Sequence, residues 1–154
     1  MAQRDQAATS LRCVWRLASR PDVRVQVLGA GLACCSLEVE AAVATGLLIR
    51  DEPVAADAPI ADAPKATVLV VAGTITEALD PAVEGLHAEL AQRGPVRVMS
   101  FGACATSGGP YWDAPTVAQG IRAIPVASYV PGCPPRPEAL VAELERIVDS
   151  MVVT

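Results

Sequence analysis

Aromatic residues are nearly absent from this chain: Phe, Trp and Tyr make up 3% of its 154 residues. That argues against single-stranded nucleic-acid recognition, which stacks bases on aromatic rings. A basic excess is also missing. Twelve Lys and Arg against 17 Asp and Glu leave a net charge of −5, the wrong sign for holding a phosphate backbone. No run of about 18 apolar residues marks a membrane span. The only histidine, His87, has no nucleophile for company, so no pair suited to hydrolysis is visible. The close C-x₂-C pairs of structural zinc sites are missing too. Met1–Ser10 is polar and lacks the apolar core of a signal peptide, so the chain is expected in the cytoplasm with its thiols reduced. An odd count of five cysteines fits no disulfide framework.

What the chain has is apolar bulk: 52% of its residues are hydrophobic. Without a membrane to absorb it, that excess implies burial against partner subunits. The length suits one domain. Leu11, Val14, Trp15 and Leu17–Ala18 fall at helical spacing, so a short amphipathic helix is expected within an N-terminal arm, residues 1–20. Val23–Leu28 alternates apolar and polar residues as a strand does. A helix is expected from Cys34 to about Leu48, then an acidic, proline-bearing loop from Arg50 to Lys65. Ala66–Ala72 is a continuous apolar run, the mark of a parallel strand covered on both faces. Further expectations are a helix over 77–93, a strand at Val96–Ser100, a short helix near Thr116–Gly120, a strand at Ile124–Val130 and a helix over 136–151. Strands alternating with helices imply a three-layer α/β domain over residues 21–154, with a mostly parallel, flavodoxin-like sheet.

Four cysteines sit in glycine-rich turns that follow strands: Cys34 and Cys35 after Gly29–Ala33, Cys104 after Phe101-Gly-Ala, and Cys133 after Tyr129-Val-Pro-Gly. In a parallel sheet such turns lie at the carboxyl ends of the strands, where ligands bind. Thiolates are soft ligands, and a [4Fe–4S] cluster takes four of them. Cys34, Cys35, Cys104 and Cys133 therefore read as the ligands of one [4Fe–4S] cluster, with inert core thiols as the plainer alternative. Cys13 stands outside any such turn and is left out. Glu38, one helical turn after Cys34, is a candidate acid for coupling proton movement to the cluster's charge; the alternative is a carboxylate favoured by the helix dipole. Gly29-x-Gly31-x-x-Cys34 looks like a dinucleotide fingerprint with cysteine in place of its third glycine, a poor fit to NAD.

The motifs Cys34-Cys35-Ser-Leu-Glu38, Val71-Ala-Gly-Thr-Ile-Thr76, Met99-Ser-Phe-Gly-Ala-Cys104 through Asp113, and Val130-Pro-Gly-Cys133-Pro-Pro-Arg-Pro-Glu138 form an ordered set. Together they resemble the cluster-bearing, B-type small subunit of NADH:quinone oxidoreductase, respiratory complex I. Small subunits of energy-converting [NiFe] hydrogenases and formate hydrogenlyases share that family. The resemblance runs through residues 28–145 and implies a terminal [4Fe–4S] cluster on the same four cysteines. It also implies a large catalytic subunit and other oxidoreductase subunits as partners, quinone at their interface, and a peripheral place at the inner face of the cell membrane. A hydrogenase small subunit is the alternative within the family, and a scaffold that keeps the fold without redox turnover is the alternative outside it. One departure stands out: the acidic 51–64 segment occupies the place of the family's Met-rich helix and basic Arg-Phe-Gly loop.

Overall fold

The computed structural model describes residues 12–30, 34–51 and 66–152. Its strands are β1 (Arg12–Leu17), β2 (Val23–Ala30), β3 (Leu48–Asp51), β4 (Ala66–Gly73), β5 (Val96–Phe101) and β6 (Ser128–Val130). They form one sheet in the order β3-β1-β2-β4-β5-β6. β2, β4, β5 and β6 pair in parallel, and β1 runs antiparallel to both its neighbours. The helices are α1 (Cys34–Ala44), α2 (Asp80–Ala91), the short α3 (Ala103–Ser107) and α4 (Pro137–Val152). The α/β class and the mostly parallel sheet agree with the sequence reading.

Strand periodicity divides the core in two. Along the wholly buried β4, Ala66, Val68, Val70 and Ala72 turn to one face, where α1 and α4 cover them with Val39, Leu140, Leu144 and Ile147. Leu69 and Val71 turn to the other, against Val83, Leu86 and Leu90 of α2. Leu140 and Leu144 are fully buried, each contributing about 1.5–3 kcal/mol. No helix among the described residues is long and apolar enough to cross a membrane.

Several local expectations are corrected. Residues 12–17 form a strand, not a helix: Trp15 and Leu17 alternate onto the core face of β1, paired with β2 and β3. The helix expected to reach Leu48 stops at Ala44, closed by hydrogen bonds from Gly46 N–H to Val43 O and from Leu47 N–H to Ala42 O, a Schellman arrangement. The chain then returns as β3, which takes in Arg50 and Asp51 from the expected loop. No helix forms at 116–120; there Val117 bridges Thr76, and Ala118 N–H bonds Ile75 O. The helical turn lies earlier, at α3. β6 is shorter than expected, because Pro125 carries no N–H for a ladder. The rest of the acidic segment, positions 52–65, lies outside the described residues, as do positions 1–11 and 31–33.

The winding order locates the functional edge. From β2 the chain passes through α1 to β3 on one side; from β4 it passes through α2 to β5 on the other. Crossovers of one hand that travel in opposite directions need helices on opposite faces, as the two cores show. The direction reverses between β2 and β4, and ligands of such sheets bind beyond the strand ends at that point.

Candidate metal centre

Three cysteine-bearing segments meet at this edge. β2 leads into α1, whose first two residues are Cys34 and Cys35. β5 leads through Gly102 into α3, which carries Cys104. β6 leads to Cys133, which is joined to Pro134 by a cis peptide bond. Backbone hydrogen bonds tie the last two loops together: Gly102 N–H to Val130 O at 2.9 Å, and Ala103 N–H to Gly132 O at 2.8 Å. Cys35 and Cys104 are buried, while Cys34 and Cys133 are exposed.

Glycine makes the convergence possible. Gly102 adopts φ 95° and ψ 163°, a region only glycine occupies without strain. A Cβ on Gly102 would collide with Cys35 Sγ, so the thiol at the start of α1 rests on the backbone that follows β5. A Cβ on Gly109 would stand 2.9 Å from Cys104 Sγ. These are cradles that side chains would fill, open in this protein around sulfur.

Electrostatics link the four thiols. Burial first, then the neighbouring thiols of Cys34, Cys104 and Cys133 and a hydrogen bond with Cys34, push the Cys35 thiol from 9.0 up to about 12. Cys35 thus sits within the field of the other three, and ionising all four together requires a compensating cation. Among the described residues, no three His, Cys, Asp or Glu side chains stand where they could hold a single metal ion.

The raised thiol carries a sign. Cys35 stays protonated in the folded, metal-free protein while an unfolded chain would release that proton. Its stabilising contribution is therefore complete below pH 9 and lost as pH rises toward 12. Reduced, metal-free protein is expected to unfold at lower urea at pH 10.5 than at pH 8, and Cys35→Ser should flatten that dependence.

The other candidates are placed as follows. Glu38 lies half-buried on α1, one turn beyond Cys34, and His87 is half-buried on α2. Cys13 falls within β1, where its backbone pairs with Val27 of β2. Tyr111 and Trp112, which follow α3, are exposed, as is Leu37 on α1. Sequence reasoning missed Ser100 and Thr106. Ser100 is completely buried in β5, and its hydroxyl lies 3.0 Å from that of Thr106. A hydroxyl within the buried run Val98–Phe101 of β5 was the available signal.

The family described as NADH ubiquinone oxidoreductase, 20 Kd subunit, matches residues 33–147. A B-type NADH-quinone oxidoreductase subunit of Salinispora tropica is 42% identical over 127 residues, covering 81% of this chain and 65% of the relative. Its counterpart in Streptomyces griseus is 41% identical over 128 residues, covering 81% and 52%. That of Amoebophilus asiaticus is 37% identical, covering 79% and 74%. The chain thus spans between about half and three quarters of the length of these relatives. A chain in the structure of the membrane-bound sulfane sulfur reductase, an archaeal respiratory membrane complex, has the same fold, with a TM-score of 0.57 at 21% identity over 81% of this chain and 68% of that one. By the extent of the family match and the identity to these relatives, the chain belongs to the NADH ubiquinone oxidoreductase 20 Kd subunit family.

Proposed function

We propose that the chain is the electron-transfer subunit of a multi-subunit, complex I-like NADH:quinone oxidoreductase, binding one [4Fe–4S] cluster through Cys34, Cys35, Cys104 and Cys133. It passes electrons from upstream clusters to quinone at the interface with a large subunit, and is not catalytic alone. The observation that carries this reading is the Cys35 thiol seated on Gly102 within the field of the other three. A cubane cluster gives each thiolate a different iron, and so spaces them more widely than a single ion does. When bound, such a cluster supplies reversible one-electron transfer at a potential set by hydrogen bonds, burial and charge around the sulfurs.

The residues divide the work. Cys35 and Cys104 anchor the inner side and keep water from it, while Cys34 and Cys133 form the rim that faces a partner. Glu38, half-buried one helical turn beyond Cys34, is the candidate acid for coupling proton movement to the cluster's charge. The exposed Leu37 and Trp112, at 70% and 60%, favour docking of the large subunit over this rim. Such docking makes the chain peripheral at the inner face of the cell membrane. The NADH-quinone oxidoreductase relatives support the quinone-reducing assignment by name.

Anaerobically purified protein should contain about four iron and four sulfide per chain and give an EPR signal on reduction. That signal should vanish in Cys104→Ala and in Cys133→Ala. Protein that takes up no iron even after anaerobic reconstitution overturns the reading.

A further inference from the structure

We infer that Thr106, backed by Ser100, is the positioning residue of the four-thiol edge: its hydroxyl locks the Gly102 peptide on which Cys35 rests. The inference builds on the proposed cluster site but concerns groups that touch no iron. Thr106 Oγ1 donates to Gly102 O at 2.8 Å, and Thr106 N–H donates to the same carbonyl at 3.2 Å. The N–H side of Gly102 is held by Val130 O at 2.9 Å. Both polar groups of this one residue are thereby fixed, its carbonyl twice over.

The position gives the lock its reach. Gly102 lies beneath Cys35 Sγ, stands two residues before Cys104, and is tied through Ala103 N–H to Gly132, the neighbour of Cys133. A rotation of this peptide moves the seats of three thiols together. Ser100 is the reserve behind it. Completely buried on β5, its hydroxyl has desolvation to offset, and Thr106 Oγ1 at 3.0 Å is the partner that offsets it. With its own proton committed to Gly102 O, Thr106 accepts from Ser100, so the chain of donors runs Ser100 to Thr106 to Gly102. Hydroxyl pairs of this kind, here with Ser100 buried and Thr106 half-buried, specify one geometry when fully satisfied. Thr106 is itself pinned from behind, since a Cβ on Gly120 would strike the Thr106 carbonyl.

The test compares Thr106→Val, which keeps the shape and removes the donor, with Thr106→Ser, which restores it. In metal-free, reduced protein the Cys35 thiol should alkylate about tenfold faster in Thr106→Val, the equivalent of one buried hydrogen bond. Cys34 and Cys133 should react at wild-type rates. In reconstituted protein the reduced-state EPR line shape and the midpoint potential should shift. Thr106→Ser should recover both readouts. If Thr106→Val fails to fold, Ser100→Ala is read in the same way and should move both readouts in the same direction by less. Wild-type reactivity and spectra in Thr106→Val overturn the inference. So does an equal rise in reactivity at all the thiols, which assigns the hydroxyl to general stability. Wild-type protein that binds no iron sinks the cluster reading alone, because the Cys35 alkylation rates still report on the lock.

Discussion

Gly102→Ala is expected to lose about 3 kcal/mol or more of stability and most of its iron uptake. Two costs combine. The backbone at φ 95°, ψ 163° strains any residue with a side chain by roughly 1–3 kcal/mol. The new methyl also meets Cys35 Sγ, and overpacking at a tight site adds about 1–3 kcal/mol. The chain relieves the collision by moving Cys35, so iron binding suffers even where the fold survives. Gly85→Ala on α2 is the matched control. Open space surrounds that position, and alanine in a helix should stabilise by about 0.5–1 kcal/mol. Denaturant midpoints and iron content of the two variants decide the matter. A Gly102→Ala protein with wild-type iron content would mean that the thiols do not share this edge.

Trp15→Ala is expected to cost about 3–5 kcal/mol, the usual range for emptying a large core site. Trp15 is 1% exposed, and it joins β1 to the core beneath α1 and α4. The Arg50 guanidinium lies 4.7 Å from its ring centroid, a cation–π contact that also clips β3 to β1. Its indole Nε1 is buried without a hydrogen-bond partner among the described residues. Trp15→Phe removes that unpaired donor while keeping most of the ring, so its loss should be well under half that of Trp15→Ala. Urea unfolding of both variants tests this, and a Trp15→Ala midpoint near wild type would show that the antiparallel side of the sheet does not depend on Trp15.

The same tryptophan shows where sequence reading falls short. In Arg12-Cys-Val-Trp-Arg-Leu17, apolar residues fit a helical stripe and a strand alternation almost equally, because six residues make fewer than two helical turns. Tertiary pairing with β2 and β3 settles the choice, and no local propensity carries that information. β3 escapes notice for a related reason: its four residues include one buried side chain, Leu48. By contrast β4, buried throughout and apolar but for Thr67, and α4, with Leu140, Leu144, Ile147 and Val148 inward, declare themselves by length and period. The cysteine turns are legible because glycine and cysteine together are chemically unusual. Their relative placement follows from the rule that parallel strands present their carboxyl ends on one edge. What no pattern can give is the Gly102–Cys35 contact and the hydroxyl pair behind it, because both join residues through space.

The reversal of winding between β2 and β4 has a consequence for biogenesis. Cys34 and Cys35 belong to the crossover that goes one way, and Cys104 and Cys133 to the strands laid down the other way. No short piece of chain holds the full set of four cysteines, which is spread over residues 34–133. The edge is complete only once β2 has paired with β4 and β6 has docked beside β5. On the proposed cluster reading, a half-built sheet would offer incoming iron an incomplete set of thiols, so completing the sheet would act as the inspection step before loading.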